Sequence, residues 1–150
     1  MPIPTAISCR SSDEPFGTSR YFSQVIEAAP AYWYRYRTTP SNGVAEGIFA
    51  VGSGFESTLA VDADTEQVSL FVMVAEDTRA RRLPSALLLQ LQCRCRYTRI
   101  LVDTECNVLR LEARTYCSGP KLRAVVQTLF SDVARLLGDD RFIDGIASTN

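Results

Sequence analysis

The alternation of apolar and polar positions is clearest between Tyr97 and Leu137, where two strands and a helix follow one another. Ile100 and Val102 alternate with Arg99 and Asp103; after the turn from Thr104 to Asn107, Leu109, Leu111 and Ala113 alternate with Arg110, Glu112 and Arg114. A period of two with one charged side predicts an antiparallel hairpin, Tyr97–Asp103 with Val108–Thr115, solvated on one face. Ser118-Gly119-Pro120 then opens a helix in which Leu122, Val125, Val126, Leu129, Phe130, Val133, Leu136 and Leu137 recur at i, i+3, i+4, i+7, with Gly138 as the residue that ends it. Asp139 to Ile146 adds a last turn or two, capped by Asp139 and Asp140, that offers Phe142, Ile143 and Ile146 for packing.

The same reading extends upstream. Residues 1–17 mix Pro, Ser, Asp and Gly without a period, as a flexible terminal arm does. Thr18 or Ser19 caps a helix carrying Tyr21, Phe22, Val25, Ile26 and Ala29, which Pro30 closes. Tyr32, Tyr34 and Tyr36 alternate with Trp33, Arg35 and Arg37, a strand with an aromatic and a mostly basic face that ends at the turn Pro40-Ser41-Asn42-Gly43. Further strands follow at Gly47–Val51, Glu56–Asp62 and Val68–Ala75, the last two joined by a polar turn. From Leu70 onward the Val68–Ala75 strand is apolar on both faces, so it is central or is covered on its second face by another element or subunit. Leu83, Leu87, Leu88 and Leu91 give a further helix its buried stripe, which Ala86 and Leu89 broaden.

The expected fold is α+β: a largely antiparallel sheet of five to six strands with helices on one side, in the order α-β-β-β-(β)-α-β-β-α, as a single domain over residues 18–150. A chain of 150 residues, 46% hydrophobic, is enough for one such core. Sixteen basic against seventeen acidic residues leave a net charge of −1, which argues against nucleic acid as a partner. No stretch has the length and apolarity of a membrane span or of a signal segment, and too few residues precede Cys9 for a lipoprotein leader.

The chain has no histidine, which removes Ser/His/Asp and Cys/His nucleophile pairs and the commonest metal ligand. The five cysteines, Cys9, Cys93, Cys95, Cys106 and Cys117, are an odd number that suits a reducing cytoplasm. A four-thiolate zinc site fails on spacing and on the hairpin, which holds Cys106 at its turn and Cys95 and Cys117 at its open end, on the order of 20 Å away at ~3.3 Å per residue. Cys93, Cys95 and Cys117 remain a candidate three-thiol metal or redox group beside the reading of ordinary buried cysteines. Asp62, Asp64 and Glu66 lack the glycine and distal glutamate of a calcium loop and read as a solvated turn. No cofactor and no enzymatic activity is expected. Tyr32, Trp33, Tyr34, Arg35 and Tyr36, with Phe71 and Met73 on the two-faced strand, are the candidate protein-binding residues, being aromatic, Arg and Met side chains of the kind that anchor interfaces.

With that element order, the run from Leu59 to Val74, the helix after it, the run from Arg99 to Ala113 and the final long helix resemble the YbjN family of bacterial proteins, described as sensory transduction regulators. The fold of that family is similar to the class I type III secretion chaperones. The resemblance covers roughly Tyr21 to Leu137. It implies a small acidic cytoplasmic protein, a homodimer without catalytic residues, that binds a client or regulatory protein through exposed apolar patches. Two other classes stand beside it: a small-ligand sensor with a pocket lined by the Tyr32–Tyr36 face, and an enzyme or metal protein built on thiols or carboxylates.

Overall fold

The computed structural model describes residues 20–29, 35–38, 42–49, 54–76, 83–103, 105 and 108–147. The elements are α1 (Arg20–Ala28), β1 (Arg35–Thr38), β2 (Asn42–Phe49), β3 (Phe55–Asp62), β4 (Gln67–Glu76), α2 (Ser85–Gln92), β5 (Thr98–Asp103), β6 (Val108–Tyr116), a short 3-10 turn (Gly119–Lys121), α3 (Leu122–Leu137) and α4 (Asp140–Ala147). All six strands form one sheet in the order β1-β2-β3-β4-β6-β5, and every described pairing is antiparallel. The architecture is therefore the expected α+β one, with the sequence's final turns forming a full helix, α4.

Register explains which side is the core. Ala45 stands across from Leu59, Leu59 from Leu70, Leu70 from Ala113 and Ala113 from Thr98, so one row of small and branched side chains crosses five strands on a single face. All five are buried, as are Val61, Val68, Val72, Leu109 and Leu111 on the same face. α3 lays Val126, Leu129, Phe130 and Val133 into this core, and Phe49 meets Phe130 with ring centroids 6.0 Å apart. Each fully buried Val, Leu or Phe of this kind contributes roughly 1.5–3 kcal/mol. α1 lies against α3 and reaches β2 and β3, where Phe22 is 1% exposed.

The structure lengthens the second strand. The sequence reading placed a turn at residues 40–43 and began the strand at Gly47, whereas β2 starts at Asn42. Its core-facing positions are Gly43, Ala45, Gly47 and Phe49, three of them too small to register as an apolar face. Their smallness serves α1: a Cβ on Gly43 would lie 2.2 Å from Cδ1 of Phe22. α2 also departs from expectation. Leu83 and Leu91 are buried and Leu87 and Leu88 half-buried, but Ala86 faces solvent and Leu89 is 66% exposed. Gly138 does follow the last residue of α3, in right-handed rather than left-handed conformation.

Two polar devices hold the ends. Asp139 caps α4, its Oδ1 accepting the N–H groups of Arg141 (3.0 Å) and Phe142 (3.3 Å), and the hydrogen bond from Arg141 holds its carboxyl below the usual carboxylate range. Asp132, 3% exposed on α3, accepts the Arg96 N–H at 3.0 Å and the Arg135 guanidinium, while Arg135 donates to the Arg94 carbonyl at 3.3 Å. This carboxylate thus ties α3 to the link between α2 and β5. At the β3–β4 turn Asp62 Oδ1 accepts the Asp64 N–H at 3.0 Å, as an Asx turn does, in agreement with the polar-turn reading.

Candidate functional site

The face of the sheet opposite the helices is built from the alternate positions of the same strands. Reading across it, Ile48 stands by Glu56, Thr58 by Phe71 and Phe71 by Glu112, with Met73 next to Arg110 and Arg110 next to Leu101. β4 is central, one of the two readings its apolar faces allowed: Leu70, Val72 and Val74 are buried toward the helices, while Phe71 is half-buried and Met73 is 48% exposed. Between Met73 and Ala75 the register with β6 slips by one residue, a bulge at Val74 that bends the strand where Met73 stands out.

Glu56, Thr58, Phe71, Val72, Met73 and Arg110 line a shallow depression of about 260 Å³. Its floor is apolar and its two rims carry opposite charge. Phe71 is partly roofed: the Arg114 guanidinium sits 6.0 Å from the ring centroid and also pairs with Glu112 at 3.2 Å. Ile48, 38% exposed, extends the apolar surface toward β2. An apolar floor with Met and an aromatic, fringed by Arg and Glu, has the composition of a protein contact patch.

Of the residues singled out in the sequence, Phe71 and Met73 fall in this depression. Tyr32, Trp33 and Tyr34 lie outside the described residues. Arg35 and Tyr36 are on β1, where Arg35 stands across from Glu46, in the row that leads through Thr58 to Phe71, and Tyr36 across from Ala45, in the core row. β1 is three strands from β4, on the order of 14 Å. Ile48, Glu56 and Arg110 were not singled out. Arg110 was already placed on a solvated strand face by its alternation, but its position opposite Glu56 depends on the order β3-β4-β6, which no local pattern specifies.

The thiols occupy separate settings. Cys93 is exposed after α2, Cys95 is half-buried with its Sγ 3.5 Å from the Leu91 carbonyl, and Cys117 is buried. Burial pushes both the Cys95 and the Cys117 thiols up. Beside Cys117, the Tyr21 hydroxyl donates to the Cys117 carbonyl and lies 3.6 Å from its Sγ, and burial raises the tyrosine well above its ordinary value. Tyr21 thereby fastens α1 to the end of β6. Among the described residues no three Cys, Asp or Glu side chains gather in a group fit for a metal ion; Cys9 and Cys106 lie outside them. Nor is any helix among the described residues long and apolar enough to cross a membrane.

No family model matches the chain, and no curated protein does. Among solved structures the chain is similar to the crystal structure of the ExsC–ExsE complex, at a TM-score of 0.39 and 19% sequence identity over 64% of this chain and 74% of that one. A likeness that distant assigns neither family nor role.

Proposed function

We propose that this chain is a non-enzymatic protein-binding module, chaperone-like or regulatory, that holds a segment of a client or regulatory protein against the open face of its sheet. The observation that carries the reading is the central strand β4, apolar on both sides, whose Met73 stands 48% exposed beside Phe71 between Glu56 and Arg110. Large apolar side chains on a central strand are favourable when something covers them, and Met adapts to irregular partners better than a branched residue. The depression of about 260 Å³ is smaller than the roughly 300–1,000 Å³ of drug-sized ligand sites, which favours a side-chain anchor over a small-molecule sensor. The homodimer implied by the resemblance belongs to this proposal, supported by Leu89 on the outward side of α2. So does a cytoplasmic setting, supported by the odd cysteine count.

The test is Met73→Asp, made in chain purified with its partner from the native cell. Loss of the partner with an unchanged unfolding transition supports the reading. Retention of the partner at wild-type yield sinks it.

A further inference from the structure

Toward the β3–β4 turn the open face of the sheet changes from apolar to polar. Beyond the row of Phe71 runs the row Arg37, Val44, Ala60, Ser69, Arg114, and beyond that the row Asn42, Asp62, Gln67, Tyr116. Between these two rows Asn42, Val44, Ala60, Asp62, Gln67 and Ser69 line a notch of about 200 Å³. Ser69 is only 6% exposed although it faces away from the helices, and its hydroxyl has no hydrogen-bond partner among the described residues. The half-buried Gln67 carboxamide has none among them either. A polar group this buried is satisfied only from within the notch, by water or by a ligand. Asp62 supplies the one charge on the lining, a carboxylate whose Oδ1 is held by the N–H groups of Asp64 (3.0 Å) and Thr65 (3.4 Å). Arg114, the cation across from Ser69, is directed elsewhere: it pairs with Glu112 and lies 6.0 Å from the Phe71 ring centroid.

We propose that this notch receives the guanidinium of an arginine from the client segment, bridging Asp62 and Ser69. The proposal rests on the protein-binding reading for the source of the arginine and adds a polar anchor beside the apolar depression. An anion would meet the Asp62 carboxylate, and an apolar group would leave Ser69 and Gln67 unpaired. Among side chains that donate, a carboxamide brings two N–H groups and lysine a compact, strongly hydrated charge. The guanidinium brings five N–H groups in a planar fork and is less strongly hydrated. That fork suits acceptors on neighbouring strands about 4.8 Å apart, Asp62 on β3 with Ser69 and Gln67 on β4. Asp64 and Glu66, exposed on the adjoining turn, favour a cation further, and Arg37, in the row of Val44, is the competing cation of this chain. Ser69 and Met73 are about 13 Å apart along β4 at ~3.3 Å per residue. An extended client that seats an apolar side chain by Met73 therefore carries its arginine about four residues away, on the same face.

The experiment is an NMR titration of the isotope-labelled full chain with n-propylguanidinium, against n-propylammonium, propionamide and acetate at equal ionic strength. Propylguanidinium is expected to shift the Gln67 side-chain amide and the backbone amides of Asp62 and Ser69, propylammonium to do so several-fold more weakly, and the other two not at all. Ser69→Ala removes one acceptor, and Asp62→Asn removes the charge while keeping an acceptor for the turn; each is expected to weaken propylguanidinium about tenfold, the size of one lost hydrogen bond to a charged group. Equal shifts from propylammonium or propionamide, or shifts unchanged in Ser69→Ala, overturn the proposal; if Asp62→Asn does not fold, Ser69→Ala decides alone. Shifts that appear only in Arg37→Ala overturn it in favour of an arginine of this chain. A native partner lost in Met73→Asp but held at wild-type affinity by Ser69→Ala, with no shift from propylguanidinium, overturns this proposal alone. Propylguanidinium shifts with the partner retained in Met73→Asp support the notch and sink the sheet-face reading.

Discussion

Asp132 is the residue whose removal has the most definite energetic consequence. Its carboxylate, 3% exposed, holds two donors of different kinds: the Arg96 N–H at 3.0 Å and the Arg135 guanidinium, whose side chain is 59% exposed. A hydrogen bond to a charged group contributes about 1.5–3 kcal/mol, and the part-buried Arg96 N–H left behind would be only partly rehydrated. The Arg135 pair, open to water on one side, is worth only about 0.2–1 kcal/mol. Asp132→Ala should therefore cost about 2–4 kcal/mol, lowering the thermal midpoint on the order of 10 °C for a domain of this size. Asp132→Asn, which keeps an acceptor for Arg96, should cost about half as much or less, and Arg135→Ala no more than about 1 kcal/mol. Urea unfolding of the three variants at neutral pH, with the denaturant slope checked for constancy, measures the series. An Arg135→Ala variant as destabilised as Asp132→Ala would refute the argument, because it would place the energy in the ion pair rather than in the tie to the Arg96 backbone.

Gly43→Ala puts a methyl within 2.2 Å of the Phe22 ring and is expected to lower stability by about 1–3 kcal/mol, whereas the double variant Gly43→Ala/Phe22→Leu should recover part of the loss; calorimetry on the pair checks it, and a neutral Gly43→Ala contradicts it. Among Cys93, Cys95 and Cys117, brief alkylation of the native chain should modify Cys93 first and Cys117 last, since Cys93 is exposed and burial both shields Cys117 and raises its thiol. Peptide mapping after a timed quench reads the order, and equal rates at Cys93 and Cys117 contradict it.

The parts of the fold that were legible in the sequence are those where burial and period coincide. The β5–β6 hairpin and α3 have strong alternation or helical spacing, and their observed bounds differ from the expected ones by only a few residues. β2 was half hidden because its core-facing positions are Gly43, Ala45 and Gly47, chosen for the space that Phe22 needs rather than for hydrophobicity. Leu89 misled in the opposite direction: an apolar residue at helical spacing suggests burial, yet α2 turns it outward. The two apolar faces of β4 pointed to Phe71 and Met73. Their charged neighbours did not show, since Glu56 and Arg110 come from strands 54 residues apart in sequence and meet only through the order of the sheet.

The central claim, that a protein partner covers the open face of the sheet, is tested most directly by the thioether that lies on it. Met73 is half exposed on β4, and the chain's other methionine is Met1, so oxidation of the two is separable by mass spectrometry. Hydroxyl-radical footprinting of the free chain and of the chain bound to its native partner should show Met73 oxidised readily in the first and protected several-fold in the second. Equal oxidation of Met73 in both would contradict the account.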